Sequence, residues 1–296
     1  TQRHVQLDDG TVWVTSLKDR KAARFNVRNR DADAGVASTA ARFDVAQHDG
    51  STVISEGTKA SNIEASTVSE NGNTTIKSDM RTVVGGNTAA FINVKTGNVW
   101  VGSADDVKSM NPTTDSPKMK LGSGGRIAVT HDGVVYGYRT SDGAVLSVDG
   151  PQGTPGKDAT IKGATNVESF TVVGKTPVVA GAGKGDAAQP VSTNGCVFAA
   201  WAQKANNYIR VCAANDKDAQ FSSLEDVNPT SQLVFRTNHR LVVLNDVVNG
   251  NVWNPQESTK VIKIQWNKVE TKQSKQQQQN NDSANNQHNF SKTCSS

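Results

Sequence analysis

Five histidines, three cysteines and a few close acid pairs are the side chains with which this 296-residue chain could do chemistry. The histidines are His4, His48, His131, His239 and His288. None sits in a nucleophile, zinc or haem motif. His48-Asp49-Gly50 and His131-Asp132-Gly133 stand just before hairpin glycines, where capping a turn is the simpler role and catalysis the sharper one. No Gly-x-Ser-x-Gly elbow is present. Gly183-Lys184-Gly185-Asp186 has the composition of a phosphate loop without its spacing. Asp8-Asp9, Asp105-Asp106 and Asp216-Lys217-Asp218 are the acid pairs to weigh for sugar hydrolysis, which needs two carboxyls about 5 to 9 Å apart. Neighbouring residues on a strand point to opposite faces, so Asp105-Asp106 cannot supply both. Asp31-Ala32-Asp33 could hold calcium with the help of loop carbonyls, but solvated loop acids are the simpler reading. These patterns predict no catalytic, cofactor-binding or metal-binding residue, and no enzyme.

Cys196 and Cys212 flank a hairpin pattern, Val197-Phe198-Ala199-Ala200-Trp201 and Tyr208-Ile209-Arg210-Val211, with a turn between Lys204 and Asn207. An antiparallel pair centred there sets the two cysteines opposite each other. The spacing predicts a disulfide, stabilising by on the order of 3 kcal/mol, and with it an extracytoplasmic location. Two buried thiols in a reducing cell are the competing reading. Cys294 lies in a polar tail with no obvious partner, and no second Cys or His pair completes a zinc site.

The elements that must carry these residues announce themselves by a recurring phrase: a turn, a glycine, then a small apolar strand that often bears an aromatic. The clearest copies are Asp9-Gly10-Thr11-Val12-Trp13-Val14, Thr96-Gly97-Asn98-Val99-Trp100-Val101, Asp132-Gly133-Val134-Val135-Tyr136, Asp142-Gly143-Ala144-Val145-Leu146 and Asn249-Gly250-Asn251-Val252-Trp253. Asn-Gly and Asp-Gly favour tight hairpins because both central residues need positive φ. Gly10, Gly50, Gly97, Gly143, Gly195 and Gly250 are separated by roughly 40 to 55 residues, the period of a four-stranded propeller blade. The expectation is an all-β chain forming a β-propeller of about seven blades, with six to eight admissible. Its N-terminal strand near Val5 should complete one blade with late strands near Val252 or Ile262. Two β-sandwiches are the alternative. Trp13, Trp100 and Trp253 hold one place in the repeat and are expected at equivalent, packed places in their blades.

Composition agrees with a turn-rich β protein. The chain is 35% hydrophobic and 5% aromatic, and its formal charge of +4 is mild. The densest basic stretch, Lys18-Asp19-Arg20-Lys21 with Arg24, Arg28 and Arg30, reads as a solvated strand face rather than a nucleic-acid patch. No run approaches the roughly 18 apolar residues of a membrane span. The chain starts at Thr1 without a methionine, which reads as a fragment or processed form. From about Thr271 a Gln/Asn/Ser-rich run begins that cannot bury a core. The division is therefore a propeller over residues 1–268 and a disordered linker or tail over 269–296.

Two late segments and the opening carry a resemblance. They are Gly195-Cys196-Val197-Phe198-Ala199-Ala200-Trp201 with Arg210-Val211-Cys212, and Leu233-Val234-Phe235-Arg236-Thr237-Asn238 with Val242-Val243-Leu244-Asn245-Asp246 and Val252-Trp253, running on to Trp266. With Val5-Gln6-Leu7-Asp8-Asp9-Gly10-Thr11-Val12-Trp13-Val14 they resemble the N-terminal ectodomain of very large actinobacterial surface proteins of the fibronectin type III or Ig-like class. The resemblance covers most of residues 1–268. It implies a cytoplasmic tail and one membrane span before Thr1, this region outside the cell, and fibronectin type III repeats after the linker. The Gln/Asn-rich tail departs from the acidic or Pro-rich linker of such proteins.

The functional expectation is a non-enzymatic extracellular binding or scaffold module of a membrane-anchored protein, without cofactor. Its partner would be an extracellular protein, a host protein included, or a cell-wall glycan, and not nucleic acid; membrane contact would come only through a segment outside this chain. A carbohydrate-active propeller, lectin or glycoside hydrolase, is the alternative. Two acids and an aromatic in the central funnel would favour that alternative, and an apolar or plugged funnel would favour the scaffold.

Overall fold

The computed structural model describes residues 11–48, 50–64, 67–162, 167–173, 176–181, 186–212 and 221–271. The strand near Val5, the acids Asp8-Asp9, Asp49 and Asp216-Asp218, His4 and His288, the turn at Gly174-Lys175, Gly183 to Gly185, Cys294 and the Gln/Asn-rich tail lie outside the described residues.

Twenty-six strands form seven small sheets among the described residues, and the only helical pieces are the 3-10 turns Val107–Ser109 and Trp266–Lys268. Among the described residues no helix is long and apolar enough to cross a membrane. The first sheet holds β1 (Thr11–Ser16), β2 (Lys21–Asn26) and β3 (Asp31–Ala37), with β26 (Glu270–Thr271) from the far end of the sequence added in parallel to β3. Blade one is β4 (Phe43–His48), β5 (Ser51–Glu56), β6 (Lys59–Glu64) and β7 (Ser69–Thr75). Blade two is β8 (Met80–Gly85), β9 (Thr88–Asn93), β10 (Asn98–Ser103) and β11 (Met119–Lys120). Blade three is β12 (Arg126–Val129), β13 (Val134–Tyr138), β14 (Ala144–Asp149) and β15 (Gly156–Thr160). Blade four has two strands, β16 (Val167–Val173) and β17 (Thr176–Gly181). Blade five is β18 (Val191–Thr193), β19 (Cys196–Ala200), β20 (Tyr208–Cys212) and β21 (Phe221–Ser222). Blade six is β22 (Leu233–Asn238), β23 (Leu241–Asp246), β24 (Asn251–Trp253) and β25 (Ile262–Lys263).

Six inner strands, β4, β8, β12, β16, β18 and β22, contribute side chains to one central channel. The expected count of about seven blades is thereby corrected to six. The physical reason lies in the first sheet. Its edge strand β1 runs opposite to the inner strands beside it: Asn238 reaches the Thr11 carbonyl while Arg236 reaches Thr15, so numbering rises along β1 as it falls along β22. β1 therefore does not take an inner-strand place. It closes the seam between blades one and six from behind, and their side chains act as its missing ladder. Gln47 Oε1 accepts the Trp13 N–H at 3.0 Å, and Asn245 Oδ1 accepts the Thr15 N–H at 2.8 Å. Asn245 Nδ2 donates back to the Thr15 carbonyl at 3.1 Å. All six residues of β1 are buried, so these donors and acceptors would be costly to leave unmade.

Val252 and Ile262 belong to blade six, and the strand expected near Val5 to share a blade with them lies outside the described residues; β26 returns to the first sheet. The Lys21 ammonium donates to the carbonyls of Trp266 at 2.8 Å and Val269 at 3.1 Å, steering the chain onto β3. The paired chain thus continues to Thr271, where the Gln/Asn/Ser-rich run begins.

The core is divided among the seams. Trp13 packs with Phe43, Val45 and Ile54 where the first sheet meets blade one, and Trp100 with Phe91 and Met80 where blade one meets blade two. Trp253 packs with Phe198, Tyr208 and Phe235 between blades five and six. Trp100 and Trp253 occupy equivalent places. Each is on the third strand of its blade, and each indole donates at 2.8 Å to a loop carbonyl, Asp115 or Glu225. Their turns match too: the Gly97 N–H bonds the Asn93 carbonyl and the Gly250 N–H the Asp246 carbonyl, both at 2.8 Å. The Asn93 and Asp246 side chains accept the N–H groups in between. Trp13 departs from the set, since it lies on an edge strand. A two-residue hairpin of the expected kind occurs at Asn194-Gly195, where both φ angles are positive, 52° and 71°.

Candidate functional site

The channel has a volume of about 1680 Å³. Its two mouths differ, because every inner strand near blade one runs the same way. Arg236 on β22 faces Val45 and Asp44 on β4, and three residues further on His239 approaches His48. The starts of the inner strands gather arginines, and the ends gather histidines.

At the starting mouth stand Arg42 just before β4, Arg81 on β8 and Arg126 on β12. Burial, and next the facing Arg81 charge, lower the pKa of Arg42, while Asp44 and Asp79 oppose that shift. Arg42 donates to the Ser78 carbonyl. Arg126 donates to the carbonyls of Gly124 at 2.9 Å and Gly125 at 3.2 Å. Deeper in, the buried Arg236 guanidinium bonds the Val45 carbonyl at 2.6 Å, Asp44 at 2.7 Å and the Thr15 hydroxyl at 3.3 Å. Asp44 is thus turned to a structural ion pair.

At the ending mouth His48, the last residue of β4, lies under two exposed imidazoles. The His48 and His131 rings are 5.2 Å apart, edge to face, and the His48 and His239 rings are 6.5 Å apart. These residues come from blades one, three and six. His131 can cross blade two because that blade ends in Gly85-Gly86. A Cβ on Gly85 would stand 2.4 Å from the Thr130 carbonyl oxygen, and one on Gly86 3.0 Å from the Gly133 nitrogen. The bare backbone lets the turn after β12 lie across it. Arg240 in the β22–β23 turn and Arg28 in the β2–β3 turn share this mouth. Asp132 does too, with its carboxylate bonded by the Thr130 hydroxyl of its own turn.

The sequence reading of His48 and His131 as turn residues therefore misses their contact. The glycine pair after β8 is the local signal of a close approach, and only the ring geometry says what approaches. Among the described residues no three His, Cys, Asp or Glu side chains are spaced to hold a metal ion. Asp33 pairs with Arg24 at 3.0 Å, and Asp31 accepts the neighbouring Ala32 N–H. Asp105 accepts the Ser51 hydroxyl and lines a separate side pocket of about 180 Å³. Phe221, the most exposed aromatic among the described residues, pairs with Trp201 at 5.9 Å on blade five, away from the channel lining. The channel lining holds Asp44, Asp132 and Asp186 as well as Trp13, Phe43 and Phe235, and it mixes charged with apolar side chains.

Cys196 and Cys212 face each other across β19 and β20, and they are joined in a disulfide with Cα atoms 3.9 Å apart. Three of the six basic residues of the basic stretch are engaged: Lys21 holds the β26 connection, Arg24 pairs with Asp33, and Arg20 bonds the Thr39 carbonyl.

No family model matches the chain, and no curated protein does. Among solved structures the chain is similar to "KlHsv2 with loop 6CD replaced by a Gly-Ser linker", at 9% identity and a TM-score of 0.41, over 85% of this chain and 80% of that one. A likeness at that level carries no inference about function.

Proposed function

We propose that the chain is a non-enzymatic binding or scaffold module of a bacterial cell-surface protein, working outside the cell and recognising its ligand at a mouth of the propeller channel. The observation that carries this reading is the open channel lined by charged and apolar side chains, in which Asp44 is bonded by Arg236 and Asp132 by the Thr130 hydroxyl of its own turn. The Cys196–Cys212 disulfide supports an oxidising compartment. The resemblance of the β19–β20 and β22–β24 segments supports placement in an actinobacterial surface protein with fibronectin type III repeats. Its partner is then an extracellular protein or a cell-wall glycan.

The test is capture of cell-wall glycans and extracellular proteins by the chain, repeated with Ala46→Arg, which fills the channel from β4. A specific ligand whose capture Ala46→Arg abolishes, in a variant that still folds, is the expected result. Capture unaffected by Ala46→Arg places recognition on the outer surface and defeats the channel reading. Release of reducing sugar from a glycan would instead establish the carbohydrate-active alternative.

A further inference from the structure

We propose that the Cys196–Cys212 disulfide is a reducible switch in the wall of the channel: an external dithiol opens it by attack at Cys212, with Cys196 as the leaving sulfur held by Arg210. The two sulfurs are unequal. Cys196 is 5% exposed and packs in the cluster of Phe198, Leu233, Phe235 and Trp253, whereas Cys212 is half-buried at the margin of that cluster. A thiolate arriving from solvent therefore meets Cys212 first. The register sets Cys196 against Cys212 and Phe198 against Arg210, so the four side chains lie on one face of the β19–β20 pair. There the Arg210 guanidinium lies over the Phe198 ring at 5.6 Å, and its Nη2 donates to Cys196 Sγ at 3.7 Å. A cation against a sulfur favours its thiolate, and a leaving thiol of lower pKa leaves faster. The guanidinium thus touches the sulfur that must depart.

In the first step a thiolate of the dithiol attacks Cys212 Sγ. A mixed disulfide forms, the Sγ–Sγ bond breaks, and its electron pair goes to Cys196, whose thiolate faces Arg210. In the second step the other thiolate of the dithiol attacks its own sulfur in the mixed disulfide. The reductant closes its disulfide and Cys212 departs. The dithiol gives up two electrons and the cystine takes them; of the two protons shed by the dithiol, Cys212 takes one and solvent keeps the other. Reduction releases the inner strand of blade five. β18 has three residues, and among the described residues its ladder runs to β19 alone, ending at Thr193 opposite Cys196. Residues 191–194 line the channel, and the Asn194-Gly195 turn leads straight into Cys196. The crosslink ties the start of β19 to the end of β20, so without it the channel wall here hangs on a short ladder. The proposal rests on the binding-module reading only for the use of that wall, which a ligand would meet loosened in the reduced chain.

The experiment treats the folded full chain with dithiothreitol at neutral pH, with Cys294 blocked beforehand by N-ethylmaleimide, and traps freed thiols with iodoacetamide for mass mapping. Reduction should outpace global unfolding, followed by proteolysis of the same sample, by roughly tenfold or more. Glutathione, a monothiol, should leave its mixed disulfide on Cys212. Arg210→Met, which keeps an apolar stem over Phe198 at an exposed position, should keep the melting temperature of the oxidised chain and slow reduction roughly tenfold. Arg210→Lys should restore most of the rate. In the reduced chain, amide exchange at β18 should quicken roughly tenfold or more, with β13 and β14 at native rates. Reduction no faster than unfolding, glutathione carried on Cys196, a native rate in Arg210→Met, or unchanged exchange in β18 would each overturn the proposal and leave a purely structural crosslink. None of these readouts involves a channel ligand, so the Ala46→Arg test of the channel reading succeeds or fails independently.

Discussion

Arg236 is the residue on which the seam between blades one and six turns. It is 8% exposed and bonds a carbonyl, a carboxylate and a hydroxyl from two other sheets. Its carboxylate partner is half-exposed, so the two partners are unequal. Arg236→Met should destabilise by about 3 kcal/mol, because buried acceptors on β4 and β1 lose their donor. Asp44→Asn should cost about 1 kcal/mol, since water already reaches that side chain. Urea unfolding of both variants checks the order, and equal losses would mean that the exposed carboxylate, not the buried bonds, holds the seam. Tyr208 offers a test by pH. Burial pushes its phenol from the ordinary 10.0 up to about 12, and its hydroxyl donates to the Pro255 carbonyl at 3.1 Å. A phenol whose folded pKa is raised contributes stability in full below pH 10, and loses it as pH climbs towards about 12. Unfolding midpoints should therefore fall between those limits in the native chain and fall less in Tyr208→Phe. A phenolate absorbance titration in which all tyrosines ionise near 10 would contradict the burial argument.

At the scale of elements, the strand-and-turn plan was legible because its signals are local. Asx-capped turns at Asn93…Gly97 and Asp246…Gly250, each followed by Val-Trp, recur because each solves the same turn-and-seam problem. The cysteine pairing was legible for the same reason, as a hairpin register that sets Cys196 against Cys212. The failures all concern relations between distant segments. Trp13 shares the phrase but sits on an edge strand completed by side chains of residues 47, 238 and 245, and no pattern near Trp13 records that. The histidine mouth was invisible likewise, since His48, His131 and His239 become neighbours only through the ring. Asn245 tests the idea of a side chain standing in for a strand. It is fully buried and exchanges two bonds with Thr15 as a ladder partner would. Asn245→Ala should cost roughly 3 kcal/mol, the penalty for a buried N–H and C=O left unpaired. Asn245→Asp keeps the acceptor and loses the donor, so it should fall between the two. Thermal melts that rank Asp below Ala would show that a buried charge, and not the ladder mimicry, governs this position.

At the scale of the molecule, the ring is a cycle of neighbour contacts held shut at one place. Among the described residues six separate buried clusters lie between neighbouring sheets, so stability is spread around the cycle, as in other repeat architectures. The closure differs from the other seams because it joins the first and last described strands of the chain. There β26 pairs with β3 through Glu270 opposite Ala34 and Thr271 opposite Gly35, while Val269 and Trp266 pack with Val12, Phe25 and Val252. A closed ring has no fraying ends, whereas an opened one is a curved stack whose terminal units open first. Thr271→Pro removes a backbone donor from this short parallel pairing and leaves the seams between blades one, two and three untouched. Amide exchange in β1, β2, β3 and blade six should then quicken on the order of tenfold or more, with blade one next and blades two and three close to the native rates. The gradient is the informative quantity. Uniform acceleration in every blade would mean that the propeller opens only as a whole, and the closing strand would then be one bond among many instead of the clasp of the ring.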